Sequence, residues 1–203
     1  MKSKTYKLIL ASSSPRRRQI LEDAGFEFKV CPSNSSESFN ENLTLRENLL
    51  AIAEDKIACS LDLLSKRYHK GFLILAADTT VVLENKVLGK PKNREDAARM
   101  LKFMSGKTHI VYTAFSLYLP EESRGITRLA QTKVGFRKLN TPEIQDYLDS
   151  GEPFDKAGSY GIQGGGRAFI NSVKGDLLNV VGLPLNDIRE ELRRQRWKIR
   201  RRG

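Results

Sequence analysis

The apolar run Leu8-Ile9-Leu10-Ala11 gives way, with no spacer, to Ser12-Ser13-Ser14-Pro15 and then to Arg16, Arg17 and Arg18. Few local patterns restrict a chain more. A short continuous apolar run bounded by turn residues reads as a buried strand. Pro15 suits the first position of a helix, where its missing N–H costs no hydrogen bond, and Ser14 before it is a good N-cap. The sequence thus prescribes an abrupt passage from strand to helix. The anomaly is electrostatic, because a helix N-terminus is partly positive and cations in its first turn are disfavoured. Two readings resolve it. The arginines form a surface patch that meets acids elsewhere, or backbone N–H groups, the hydroxyls of Ser12 and Ser14 and the guanidinium groups converge on one phosphate-like anion.

Strand and helix continue to alternate. Gly25 closes the first helix, and residues 26–30 (FEFKV) alternate as a strand. Residues 33–42 are a polar loop, after which Thr44 and Glu47 form a capping box opening a long helix through LRENLLAIAEDKIACSLDLL. FLILAAD, Phe72 to Asp78, predicts a buried strand ending in its acid, and TVVLENKVLGKP a hairpin turning at Glu84-Asn85. Asn93 caps a helix with Ala97, Met100, Leu101 and Met104 on one face. HIVYTAFSLYL and LAQTKVGFRKL read as long strands, Thr141-Pro142 as a helix start, residues 168–173 as a strand turning at Lys174-Gly175, and Pro184 as the start of the last helix. The pattern is that of an α/β or α+β protein with a mixed sheet, residues 1–203 forming one domain.

No apolar stretch approaches the ~20 residues of a membrane helix, and the first apolar segment is too brief for a signal peptide. Cys31 and Cys59 lack metal-ligand spacing and read as reduced thiols, so a cytoplasmic location is expected. His69 and His109 stand in no zinc-binding pattern. The net charge of +11 invites a nucleic-acid reading, but the tail RRQRWKIRRR, Arg193 to Arg202, carries +7 of it and leaves an ordinary +4. That tail, about residues 193–203, reads as the solvated, partly frayed end of a C-terminal helix, or as a contact for RNA, membrane or a partner.

Several residues invite chemistry. Leu49, Ala53, Lys56 and Ser60 share one helix face, from which Lys56 either snorkels to the edge or reaches into a cleft. Asp78 either caps its own turn or offers a carboxylate where α/β sheets place ligand groups. Lys90, in the tight loop GKP, is either solvated or a ligand contact. Five glycines fall between Gly158 and Gly166, interrupted by Tyr160 and Ile162. They form an ordered Ω-loop or let backbone approach a ligand, with Asp155, Lys156 and Gln163 as polar lining.

Six segments in order, ASSSPRR, AEDKIA, AADTTVVLENKVLGKP, GKTHIVYTA, GEPFDKAGSYGIQG and GDLLNVVGLPL, resemble the Maf family of nucleoside-triphosphate pyrophosphatases across nearly the whole chain. The resemblance implies an elongated, two-lobed fold related to the inosine-triphosphatase-like enzymes, with a central cleft. It also implies hydrolysis of a nucleoside triphosphate to the monophosphate and pyrophosphate with Mg²⁺ or Mn²⁺, and a homodimer. SPRR, ADT and DKAGSYGIQG are similar to the branch acting on dTTP and UTP. By that match Arg16, Thr79 and Gln163 govern base choice and Asp78 activates water. Ser12, Ser14, Arg16, Arg17, Lys56, Lys90 and Lys156 contact phosphates, and Asp78 with the loop carboxylate Glu37 holds the metal. Two positions depart from the family: Ser36 replaces one of an acidic pair before Glu37, and Leu177 stands where tyrosine is common. The rival reading is a nucleotide-binding regulatory protein of septum formation, whose basic tail and arginines engage nucleic acid or a division partner.

Overall fold

The computed structural model describes residues 4–33, 35, 38–64, 68 and 70–202. Glu37, Ser36 and His69 lie outside the described residues. The elements alternate as expected and join one eight-stranded mixed sheet, and the chain divides into two compact units.

The first unit comprises residues 1–78, 113–130 and 182–203. It opens with β1 (Thr5–Leu10), α1 (Pro15–Asp23), β2 (Phe28–Val30), α2 (Leu45–Leu63) and the first half of β3 (Phe72–Leu83). β1 lies between β2 and β3, parallel to both, with Leu8 opposite Phe28 on one side and Leu73 on the other. Successive side chains of a strand face opposite ways, and both faces of β1 are covered. Ile9 and Ala11 pack with Ile74 and Ala76 against Ile57 of α2, while Leu8 and Leu10 are buried on the other side. A strand covered twice must read as an unbroken apolar run, which is why the Leu8–Ala11 segment carries no alternation. The helix starts are set locally. Ser14 accepts from the Arg17 N–H at 3.4 Å, and Thr44 and Glu47 complete their reciprocal box.

The tail departs from expectation. α6 (Leu185–Arg194) stops at Arg194, Arg196 turns the chain with a φ of +59°, and Lys198–Ile199 form β8, parallel to β1 with Tyr6 opposite Ile199. Trp197 is buried and Arg201 bridges Phe26, so the segment is sheet, not frayed helix. Phe26 therefore meets the tail, while β2 itself begins at Phe28.

The second unit, residues 79–112 and 131–181, contains the end of β3 and β4 (Lys86–Leu88), joined by a turn with positive φ at Glu84 and Asn85. α3 (Arg94–Met104), α4 (Thr141–Asp149), β7 (Ile170–Lys174) and the short α5 (Leu177–Val181) complete it, with parts of β5 (Thr108–Leu119) and β6 (Arg124–Phe136). The expected face of α3 is buried, and Phe136, Tyr160, Phe169 and Tyr147 meet edge to face around it. His109 joins this core, with Nε2 2.8 Å from the Tyr160 hydroxyl and its ring edge-on to Phe136.

Burial lowers the His109 imidazole from its ordinary 6.5 to about 4. The folded value lies below the unfolded one, so this contribution to stability is complete above pH 6.5 and is lost as pH falls toward 4. The separation corresponds to about 3 kcal/mol. In urea titrations, the stability difference between the wild-type protein and His109→Gln is expected to shrink by about that amount from pH 7 to pH 4. A difference that does not change with pH would mean that water reaches this imidazole.

Candidate active site

The chain leaves β1 toward β2 and returns past it to β3, so the C-terminal ends of β1 and β3 flank a topological switch point. Open parallel sheets leave their ligand crevice at such a point. Backbone hydrogen bonds hold the three strand ends level: Cys31 N–H to Leu10 O at 2.9 Å, and Ala11 N–H to Leu75 O at 2.8 Å. Ser12 to Arg17 therefore emerge beside the stretch of β3 that carries Asp78.

The arginines divide the work. Arg16 and Arg17 are half-buried and Arg18 is exposed. Arg17 folds back, its Nε donating to Gly182 O at 2.8 Å and its Nη1 to Ser12 Oγ at 3.0 Å, while Ser12 Oγ also accepts the Ser14 N–H at 3.2 Å. Ser12 is 8% exposed. A buried hydroxyl and a carbonyl anchor one guanidinium beside the helix start, which makes Arg17 a fixed cation rather than a solvated one.

Asp78 is not at a strand end, as the sequence led us to expect. β3 runs on to Leu83 because it takes further partners beyond β1: it pairs with β1 through Leu75, with β4 from Val81, and with β5. Asp78 lies between the β1 and β4 pairings. On the two-residue period it follows Ile74 and Ala76 and so faces α2, where Ile52, Ala53, Lys56, Ile57 and Ser60 form the buried stripe. There its Oδ1 meets the Lys56 ammonium at 2.5 Å, both side chains almost fully buried (11% and 7% exposed). Lys56 does not snorkel. The pair continues an apolar helix–sheet interface with two opposite charges.

In the second unit Thr79 is half-buried, and Lys90 and Gln163 are exposed. Gly89, next to Lys90, accepts the Gly158 N–H at 3.0 Å and ties that loop to the glycine-rich segment. The Lys156 ammonium is engaged locally, donating to Glu152 O and Asp155 Oδ1, each at 2.6 Å. The organiser of the glycine segment is a residue the sequence did not single out. Glu152 accepts the Gly165 N–H at 2.7 Å and the Tyr147 hydroxyl at 2.9 Å, and Tyr147 in turn accepts the Gly161 N–H at 3.0 Å. Burial raises the Tyr147 phenol well above its ordinary value, so it keeps the proton it donates. A Cβ at Gly164 would lie 2.4 Å from the Glu152 carboxylate oxygens, which explains a glycine there. No local pattern marks Glu152, because its partners lie up to thirteen residues away.

Among the described residues no group of three His, Cys, Asp or Glu side chains is placed to hold a metal ion. Leu177, at the start of α5, is half exposed. No helix among the described residues is long and apolar enough to cross a membrane.

The family described as Maf-like protein matches residues 7–195. A dTTP/UTP pyrophosphatase of Bdellovibrio bacteriovorus is 46% identical over 185 residues, covering 91% of this chain and 96% of its own. One of Fusobacterium nucleatum is 46% identical over 193 residues, 95% and 97% of the two chains. A third, of Bacillus pumilus, is 44% identical over 88% and 90%. Full-length similarity at this level, on an open mixed sheet with the expected order of elements, places the chain in the Maf family.

Proposed function

We propose that this protein hydrolyses dTTP and UTP to the monophosphate and pyrophosphate. The observation that carries the reading is the buried Lys56–Asp78 pair beside the serine- and arginine-rich start of α1, in a chain whose full-length relatives are named for that reaction. Water attacks the α-phosphorus and gives its proton to the Asp78 carboxylate. The new P–O bond forms as the bond to the oxygen bridging the α- and β-phosphorus atoms breaks, and pyrophosphate leaves. Positive groups aimed at the phosphoryl oxygens offset the charge that gathers there. Lys56, Arg16, Arg17 and the α1 N-terminus with Ser12 and Ser14 supply them in this reading, and Lys90 and Lys156 carry the same assignment from the family resemblance. Arg16, Thr79 and Gln163 are assigned to the base; the Gln163 amide offers a donor and an acceptor, which suits uracil or thymine.

In this reading Asp78 and Glu37 would hold a divalent cation in the manner of Mg²⁺, which takes one or two carboxylates and draws its other oxygens from substrate phosphates and water. Asp78 is the carboxylate at hand, and Glu37 is assigned as the second. When bound, such an ion acidifies water and neutralises phosphate charge. The free thiols of Cys31 and Cys59 accord with a cytoplasmic location, and a homodimer is carried over from the family resemblance.

With saturating Mg²⁺ or Mn²⁺, Asp78→Asn is expected to cut turnover of UTP by roughly 10²-fold or more, in an assay that separates pyrophosphate from orthophosphate. Near-normal turnover would remove this carboxylate from the chemistry. Wild-type protein should prefer dTTP and UTP over GTP across a nucleotide panel.

Lys56→Met leaves the Asp78 carboxylate buried without its counter-charge, and urea unfolding is expected to show a loss of about 3–5 kcal/mol. The double variant Lys56→Met/Asp78→Leu should regain most of that stability and remain inactive. A cost below about 1 kcal/mol for the single change would mean that the pair is solvated.

Glu152→Gln weakens the charge-assisted hydrogen bond to the Gly165 N–H. KM for UTP is expected to rise about tenfold, with kcat changed little and discrimination against GTP narrowed. An equal fall in kcat with unchanged KM would place Glu152 in the chemical step instead.

A further inference from the structure

The family match ends at residue 195, and the residues beyond it are strongly basic. They are built into the sheet. Arg200 N–H donates to Tyr6 O at 2.8 Å, Arg200 O accepts the Glu27 N–H at 3.0 Å, and Arg202 N–H donates to Gly25 O at 2.9 Å. Their side chains are therefore presented from a fixed backbone. Lys198 pairs with Thr5 and Ile199 with Tyr6. Registered residues share a face, so Lys198 and Arg200 lie on the side of Thr5 and Lys7, opposite the buried Tyr6 and Leu8. Lys29, opposite Ile9, is on that side too. α2 packs on this face at Ile9 and Ala11, whereas Thr5, Lys198 and Arg200 are exposed.

Three cations, Lys7, Lys29 and Arg200, thus surround the Glu27 carboxylate, with Lys198 further along the same face. Lys7 pairs with Glu27 at 2.9 Å, and that hydrogen bond, with the charges of Lys7, Arg200 and Lys29, holds the Glu27 carboxyl below its ordinary range. An aromatic ring completes the group: the Lys29 ammonium sits 5.2 Å from the centroid of Tyr68, which is half-buried. The patch runs from Lys198, opposite Thr5, to Lys29, opposite Ile9, so along β1 its far end lies roughly 20 Å and its near end roughly 10 Å from the start of α1.

The chemistry narrows the occupant. Alternate residues of β8 and its continuation repeat every ~6.7 Å, which suits an extended polyanion. Among the described residues none of the exposed large apolar side chains belongs to β1, β2 or β8, and the tail's Trp197 is buried, so these strands offer a bilayer nothing to insert. We propose that this face binds single-stranded nucleic acid, its phosphates on Lys7, Lys29, Lys198 and Arg200 and a base against Tyr68.

The test is fluorescence anisotropy with a labelled oligouridylate of about 20 nucleotides, titrated between about 50 and 200 mM salt. The expected result is micromolar binding that falls with a log–log salt slope of about −3, as four phosphate contacts on a single strand require. Lys198→Gln/Arg200→Gln should weaken binding about tenfold or more and flatten the slope by about 1.4. Glu27→Gln should strengthen binding, and both variants should hydrolyse UTP like the wild-type protein. A non-hydrolysable UTP analogue should leave the oligonucleotide bound. Absence of binding at the lowest salt, displacement by the analogue, or indifference to both variants would overturn the proposal. So would tighter binding to phosphatidylglycerol vesicles than to the oligonucleotide.

Discussion

Two opposite charges taken out of water lie at the centre of this fold. A carboxylate and an ammonium each lose several kcal/mol of hydration on burial, and their attraction repays that only with good geometry. A helix and a sheet of apolar residues gain nothing intrinsic by adding such a pair. Lys56 and Asp78 nevertheless occupy the position where the next apolar contact between α2 and β3 would fall. The apolar residues on either side, Ile57 on the helix and Ile74 and Ala76 on the strand, hold the charges in register. The pair is therefore a cost carried by the core, which fixes the positions of a carboxylate and an ammonium in advance of the reaction proposed for them. Preorganisation of this kind is what electrostatic stabilisation of a developing charge demands.

The start of α1 follows the same logic from the other side of the switch point. Arginines in the first turn of a helix are unfavourable while that end faces water. Arg17 is instead held by a carbonyl and a buried serine hydroxyl. The strain of gathering cations at a positive helix end is resolved once a polyanion lies there, since every group then faces a charge of the opposite sign. The first unit thus holds a buried ion pair in the middle of β3 and an anchored arginine beyond the end of β1.

What the sequence disclosed, and what it withheld, divides by range. The caps at Ser14, Thr44 and Asn93 and the apolar face of α3 were legible because each depends on residues three or four apart. The end of β3 was not, because its length is decided by a change of partner from β1 to β4, and partners are chosen by the whole sheet. Lys56 stood between two rotameric fates that only Asp78, twenty-two residues away, decides. The tail misled for a related reason: a run of arginines and lysines has no apolar period, and nothing local shows that β1 has a free stretch beside Tyr6 to receive it. Glu152 is the extreme case, an acid whose importance lies in one N–H group and one phenol brought to it by a turn.

The glycine segment shows how the second unit achieves rigidity by other means. Glycine-rich backbone is entropically costly to order, and a stretch with five glycines between Gly158 and Gly166 would ordinarily be loose. Here Glu152 and Tyr147 supply hydrogen bonds to Gly161 and Gly165, and the absent Cβ atoms are what let the carboxylate approach. The same residues that make the loop floppy in isolation make it clampable in the fold. A side chain larger than hydrogen at Gly164 would push the clamp out rather than stiffen the loop. Flexibility of sequence and rigidity of structure are thus the same choice here. Gln163, flanked by clamped glycines, is an exposed side chain on a backbone with little freedom to yield, which suits the role in base choice proposed for it.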